Sequence, residues 1–165
     1  GNTLKNLDKS INRDRGSEII NQLDLDKLPF KIDISNLNQL GIDIADDLSK
    51  ILHGIALCPA LKWCLSTVKK AKVFNLIFQA NERSKPIYKE EIAKLLPEYS
   101  YKTIATIIDE GVARGYYIPL DPVSSGVKDK KVKNIRPSVE LITAFYNWNI
   151  ERIRVVIELS KKYNK

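Results

Sequence analysis

Apolar residues recur at helical spacing in five stretches of this chain and at strand spacing in three short ones. In residues 43–57, Ile44, Leu48, Ile51, Leu52 and Ile55 fall on one face, and Asp43, Asp46 and Asp47 sit at the end where a helix dipole favours carboxylates. Cys58-Pro59 breaks that pattern. A second helix is expected over residues 60–81, burying Val68, Ala71, Phe74, Ile77 and Phe78 and turning Lys69, Lys70 and Lys72 elsewhere. Residues 88–96 form a short helix with Ile92, Leu95 and Leu96 inside, stopped by Pro97. The next helix begins at Ser100, a good N-cap. Its core face is Ile104, Ile107, Ile108 and Val112, and Gly115 ends it in a left-handed turn. The last helix runs from Pro137-Ser138 to about residue 162, with Val139, Ile142, Tyr146, Ile150, Ile153 and Ile157 on one side.

Strand spacing is confined to residues 29–34, 116–120 and 132–136. The first is read as a short extended piece, followed by a turn that ends at Gly41. The other two flank Asp121-Pro-Val-Ser-Ser-Gly126, which is turn chemistry, and the basic loop of residues 127–133. Residues 66–137 therefore read as helix, short helix, helix, strand, basic turn, strand. The tight Pro97-Glu98-Tyr99 connector gives helix-turn-helix spacing followed by a β-hairpin.

Composition fits a globular chain, with 44% hydrophobic and 28% charged residues, enough apolar material for a core. The net charge of +7 points to an anionic partner, nucleic acid first. That charge is unevenly placed. Residues 66–137 hold 14 Lys/Arg against 8 Asp/Glu, whereas residues 1–65 hold 8 against 9. No apolar run is long enough to cross a membrane, and the polar start has no apolar leader, so a cytoplasmic location with no membrane partner is expected.

Enzymatic chemistry finds no support. There is one histidine, His53, and no phosphate-cradling Gly-rich loop. Asp46/Asp47 and Glu90/Glu91 are adjacent in sequence, so they diverge on a helix. Cys58 and Cys64 match no zinc spacing and are expected as reduced, buried thiols. No metal and no cofactor are expected.

A helix that enters a DNA major groove does so with its first turn, which needs polar side chains there and apolar ones beyond. Ser100, Tyr101, Lys102, Thr103 and Thr106 supply that arrangement. Residues 66–145 resemble a winged helix-turn-helix of the multiple-antibiotic-resistance regulator (MarR) family. The resemblance rests on Ser100-Tyr-Lys-Thr103, the run from Ile107 to Tyr116, the wing Asp129-Lys-Lys-Val-Lys133, and Arg136-Pro-Ser138. It departs from the family in the wing, where lysines stand in the place of arginines and lack the planar fork.

The resulting expectation is a mainly α fold with a small β-wing, a winged helix-turn-helix with additional N- and C-terminal helices. Residues 1–40 would be a polar arm, 41–65 and 138–165 the dimerisation helices, and 66–137 the DNA-binding domain. The function expected is sequence-specific binding of double-stranded DNA by a bacterial transcription regulator acting as a homodimer. Its contacts would be Ser100, Tyr101, Lys102, Thr103 and Thr106 in the major groove, with Lys128, Lys130, Lys131 and Lys133 of the wing on the backbone or minor groove. Lys85 and Lys89 would add phosphate contacts. Two alternatives stay open. One is a winged-helix protein–protein interaction module. The other is a sensor, with Trp63, Tyr117, Tyr146 and Trp148 lining a pocket for a small-molecule effector, or with a reactive thiol.

Overall fold

The computed structural model describes residues 18–121, 123–124 and 131–164. It is mainly helical. The helices are α1 (Ile34–Ala56), α2 (Pro59–Cys64), α3 (Val68–Glu82), α4 (Lys89–Leu95), α5 (Tyr101–Ala113) and α6 (Val139–Tyr163), preceded by a single 3-10 turn at Leu25–Lys27. Among the described residues four short strands lie between α5 and α6: β1 (Tyr117–Pro119), β2 (Val123–Ser124), β3 (Lys131–Val132) and β4 (Ile135–Pro137). β1 pairs antiparallel with β4, in the register Tyr117 with Pro137 and Pro119 with Ile135. β2 pairs antiparallel with β3. An isolated bridge from Ile87 to Ile135 adds a third chain segment beside β4.

Contacts divide the chain into two units, one of residues 53–149 and one of residues 1–52 with 150–165. The first holds most of the core. Val73, Phe74 and Ile77 of α3, Ile92 of α4, and Ile104, Ile107 and Ile108 of α5 are buried together with Leu61, Tyr117, Ile135 and Leu141. Tyr117 of β1 belongs to this cluster and is fully buried. Gly111 makes this possible, because a Cβ there would stand 2.3 Å from Cδ2 of the Tyr117 ring. Gly115, at φ +78°, then turns the chain out of α5 and into β1, a conformation costly for a residue with a Cβ.

In the second unit the middle of α1 is tied to the end of α6 by polar contacts. The Asp43 carboxylate accepts from Lys162 Nζ at 2.7 Å and from the Tyr163 hydroxyl at 2.5 Å. These partners hold Asp43 at about 2, with the Lys162 hydrogen bond the largest cause. The Phe30 ring stacks on Tyr163 at 5.6 Å between centroids. Elsewhere this unit leaves much apolar surface open: Ile42, Ile44, Leu48 and Leu52 on α1, and Ile150, Ile153, Val156 and Ile157 on α6, are each about half exposed or more.

Several expectations need correction. Residues 29–34 form no strand, and Asn36–Gly41 is not a turn, since α1 already starts at Ile34. The cause is a reciprocal cap. Asn36 N–H donates to the Asp33 carboxylate at 3.2 Å, while Asp33 N–H donates to the Asn36 side-chain oxygen at 3.0 Å. Gly41 lies inside the helix, where nothing crowds it. The helix expected over residues 60–81 is two helices. Thr67 is the N-cap of α3, its hydroxyl accepting from Lys70 N–H at 3.1 Å. Val68 and Leu95, expected inside, are exposed at 68% and 57%. The side expected to be buried on the last helix is largely open, from Val139 and Tyr146 to Ile150, Ile153 and Ile157.

Candidate nucleic-acid interface

The helix α5 separates apolar from polar along its length. Ile104, Ile107 and Ile108 face the core, and its first turn faces solvent. Ser100 caps it: its Oγ accepts Thr103 N–H at 3.1 Å and lies 2.9 Å from Thr103 Oγ1. A capped first turn is fixed in direction, because one orphan amide is already satisfied. Lys102 and Thr106 are exposed beside it, one turn apart on the same side.

The expected contact residues divide into groups. Lys102, Thr103 and Thr106 come together in one open groove of about 350 Å3. Tyr101 is 50% exposed, and its hydroxyl lies 3.5 Å from Glu90 Oε1 of α4. Lys89 does not stand free: its Nζ pairs with Asp109 on α5 at 2.5 Å. Lys85 is exposed in the segment between α3 and α4, and Lys133 is exposed between β3 and β4. Lys131 lies in β3. Lys128 and Lys130 lie outside the described residues.

Thr67, Lys69 and Lys70 of the α3 start line the same groove as Lys102, Thr103 and Thr106, with Ile107 at its floor. Sequence reasoning missed this trio by running one helix through residues 60–81. The available signal was Thr67 itself, a good capping residue directly before the apolar run of α3. Lys70 also lies over the Trp63 ring, 4.6 Å from its centroid. Trp63 in turn donates from Nε1 to Glu110 Oε1 at 3.4 Å, and Arg114 holds the same carboxylate from Nε at 3.1 Å and Nη2 at 2.9 Å. Those contacts, Arg114 first, lower the Glu110 pKa.

No protein-family model and no curated protein matches this sequence.

The other candidates resolve differently. Trp63 and Tyr117 are buried in the core, Trp148 packs against it, and Tyr146 is 46% exposed. Cys64 is fully buried with its sulfur 3.6 Å from the Tyr117 hydroxyl, and burial pushes its thiol up to about 11. Cys58, at the start of α2, is partly exposed. His53 is exposed on α1. Among the described residues no group of three or more His, Cys, Asp or Glu side chains could hold a metal ion, and no helix is long and apolar enough to cross a membrane.

Proposed function

We propose that this protein binds double-stranded DNA in a sequence-dependent way and regulates transcription, through a winged helix-turn-helix of the kind found in MarR regulators. The observation that carries the reading is the first turn of α5. It is capped, solvent-facing, rich in hydroxyl and lysine donors, and adjoins further lysines with no carboxylate among the described residues of the groove lining. The order α3, α4, α5 and then a hairpin supports the fold half of the proposal, as does the bridge that brings Ile87 beside β4. In this reading Lys102, Thr103 and Thr106 meet base edges and nearby phosphates, and the hairpin lysines meet the backbone.

The same proposal includes a homodimer built on α1 and α6. Ile150, Ile153 and Ile157 recur at the three-and-four spacing of a helix-pairing seam, and each is 49% exposed or more. A protein rarely leaves so many large apolar residues in water on one pair of helices without a partner. A second copy presents the same seam and needs no further component. Two copies would address half-sites about 34 Å apart along the duplex.

The test is fluorescence anisotropy of the purified protein with random duplex DNA at two salt concentrations. Binding that weakens steeply with salt supports the reading. Absence of binding even at low salt refutes it. The protein–protein interaction module, favoured by the exposure of Leu95 and Tyr101 near the α5 start, would then take first place.

A further inference from the structure

The groove between the starts of α3 and α5 is lined by three lysines and, among the described residues, by no carboxylate, the Glu110 carboxylate that acts on Lys70 lying outside the lining and held by Arg114. Its lining is Thr67, Lys69 and Lys70 from one side and Lys102, Thr103, Thr106 and Ile107 from the other. Three other cations of this unit are paired within the fold. Lys72 pairs with Glu98 at 3.0 Å, Lys89 with Asp109 at 2.5 Å and Arg114 with Glu110 at 2.9 Å. Among the described residues none of the three groove lysines makes an ion pair within 4.0 Å. Three like charges gathered in one place repel one another, and an anion between them removes that repulsion.

The dimensions indicate which anion. A helix with its side chains is about 10–12 Å across. The DNA major groove is about 12 Å wide. A helix that fills the groove therefore brings the two phosphate ridges against whatever flanks it. Beside the first turn of α5, that flank is the start of α3. The groove is open and is lined by three threonines and Ile107 besides the lysines, so it suits a chain that passes across it better than a small anion held in a closed cage.

We propose that this groove seats the phosphodiester backbone of the bound duplex beside the recognition turn, with Lys69 and Lys70 of α3 and Lys102 of α5 neutralising adjacent phosphates. The proposal rests on the DNA-binding reading and adds to it a second helix, α3, in the contact surface. It assigns a phosphate-binding role to Lys69 and Lys70, in addition to the hairpin lysines.

The experiment compares the unmodified chain with Lys69→Gln and with the double variant Lys69→Gln/Lys70→Gln, by anisotropy on random duplex DNA across a salt series. Circular dichroism establishes that each variant is folded. Because Lys70 lies over Trp63, the single Lys69 variant keeps the test valid if the double variant proves unstable. The expected result is weaker binding on every sequence, with the slope of log K against log salt reduced by about 0.9 for each lysine removed per chain in contact. If the unmodified chain binds and the slopes of folded variants are unchanged, the groove proposal is overturned and the DNA reading survives. If the unmodified chain does not bind, the DNA reading itself has failed. Inorganic phosphate replacing chloride at equal ionic strength should compete no better than chloride. Selective competition that disappears in the variants would reassign the groove to a free anion and overturn the proposal.

Discussion

Gly111→Ala tests how the hairpin is anchored to α5. In an isolated helix this substitution is favourable by about 1 kcal/mol, because glycine loses more backbone freedom on folding than alanine. Here the new methyl would stand 2.3 Å from Cδ2, 2.7 Å from Cε2 and 3.3 Å from Cγ of Tyr117. These atoms lie at the base and along one edge of the ring, so no turn of a flexible tip relieves them. The ring itself has little room to move. It is fully buried, its hydroxyl is 3.6 Å from Cys64 Sγ, and Trp63 packs edge-on at 6.2 Å. Overpacking of this kind costs about 1–3 kcal/mol, and occasionally more, so it cancels or outweighs the helix-propensity gain. Combined, the two contributions give a net loss of up to about 2 kcal/mol. Gly41→Ala supplies the internal control. Its Cβ meets nothing within 4 Å, so it should stabilise by about 0.5–1 kcal/mol. Urea unfolding followed by circular dichroism reads both. In a Tyr117→Leu background the smaller side chain opens space, and the penalty of Gly111→Ala should shrink or reverse as a coupling between the two sites. A Gly111→Ala protein as stable as the original chain, with no coupling to Tyr117, would refute the packing of the hairpin base on α5.

Three further outcomes follow from the same geometry. Ser100→Ala and Thr67→Ala should each destabilise the 53–149 unit by about 1 kcal/mol through loss of a cap, while Ser100→Gly costs only a few tenths; thermal melts measure both. A thiol reagent should label Cys58 in the native protein and reach Cys64 only on unfolding, since burial keeps the Cys64 thiolate scarce near neutral pH; rapid native labelling of Cys64 would contradict its place in the core. The Asp43 carboxyl is held below its usual 3.8, so its contribution is present above about pH 4 and fades as pH falls through about 2. The gap in melting temperature between the original chain and Asp43→Asn should therefore close over that acid range, and a gap independent of pH would remove the clasp.

Helices whose ends carry strong local chemistry were legible in the sequence. Pro59, Ser100 and Gly115 each mark a boundary that the structure keeps, because each acts on its own neighbours. The boundaries that escaped depend on side chains meeting in a less obvious pattern. Asp33 and Asn36 cap one another and start α1 at Ile34, where glycine and asparagine otherwise suggested a turn. Thr67 divides residues 60–81 without any proline or glycine to mark the break. Periodicity also overestimated burial. Val68, Val139 and Ile150 share the spacing of core residues yet lie in solvent in the single chain, since periodicity reports that a face is apolar and says nothing of what covers it.

The site was legible in its charge and much less so in its geometry. Counting lysines along the chain draws attention to the hairpin run, where Lys128, Lys130, Lys131 and Lys133 crowd together. In a folded molecule the useful quantity is the cation left over after internal pairing, and pairing joins residues remote in sequence. Lys72 meets Glu98 and Lys89 meets Asp109, so two lysines that look equivalent to Lys69 and Lys102 are already neutralised. Arg114, directly before the glycine exit, is held by Glu110. Three of the 8 carboxylates in residues 66–137 are thus engaged with cations of the same unit, and none of them lines the groove. Three of the cations left over, Lys69, Lys70 and Lys102, meet where the starts of α3 and α5 line one groove. An anionic chain approaching the first turn of α5 would meet those three lysines beside a helix already oriented by its cap.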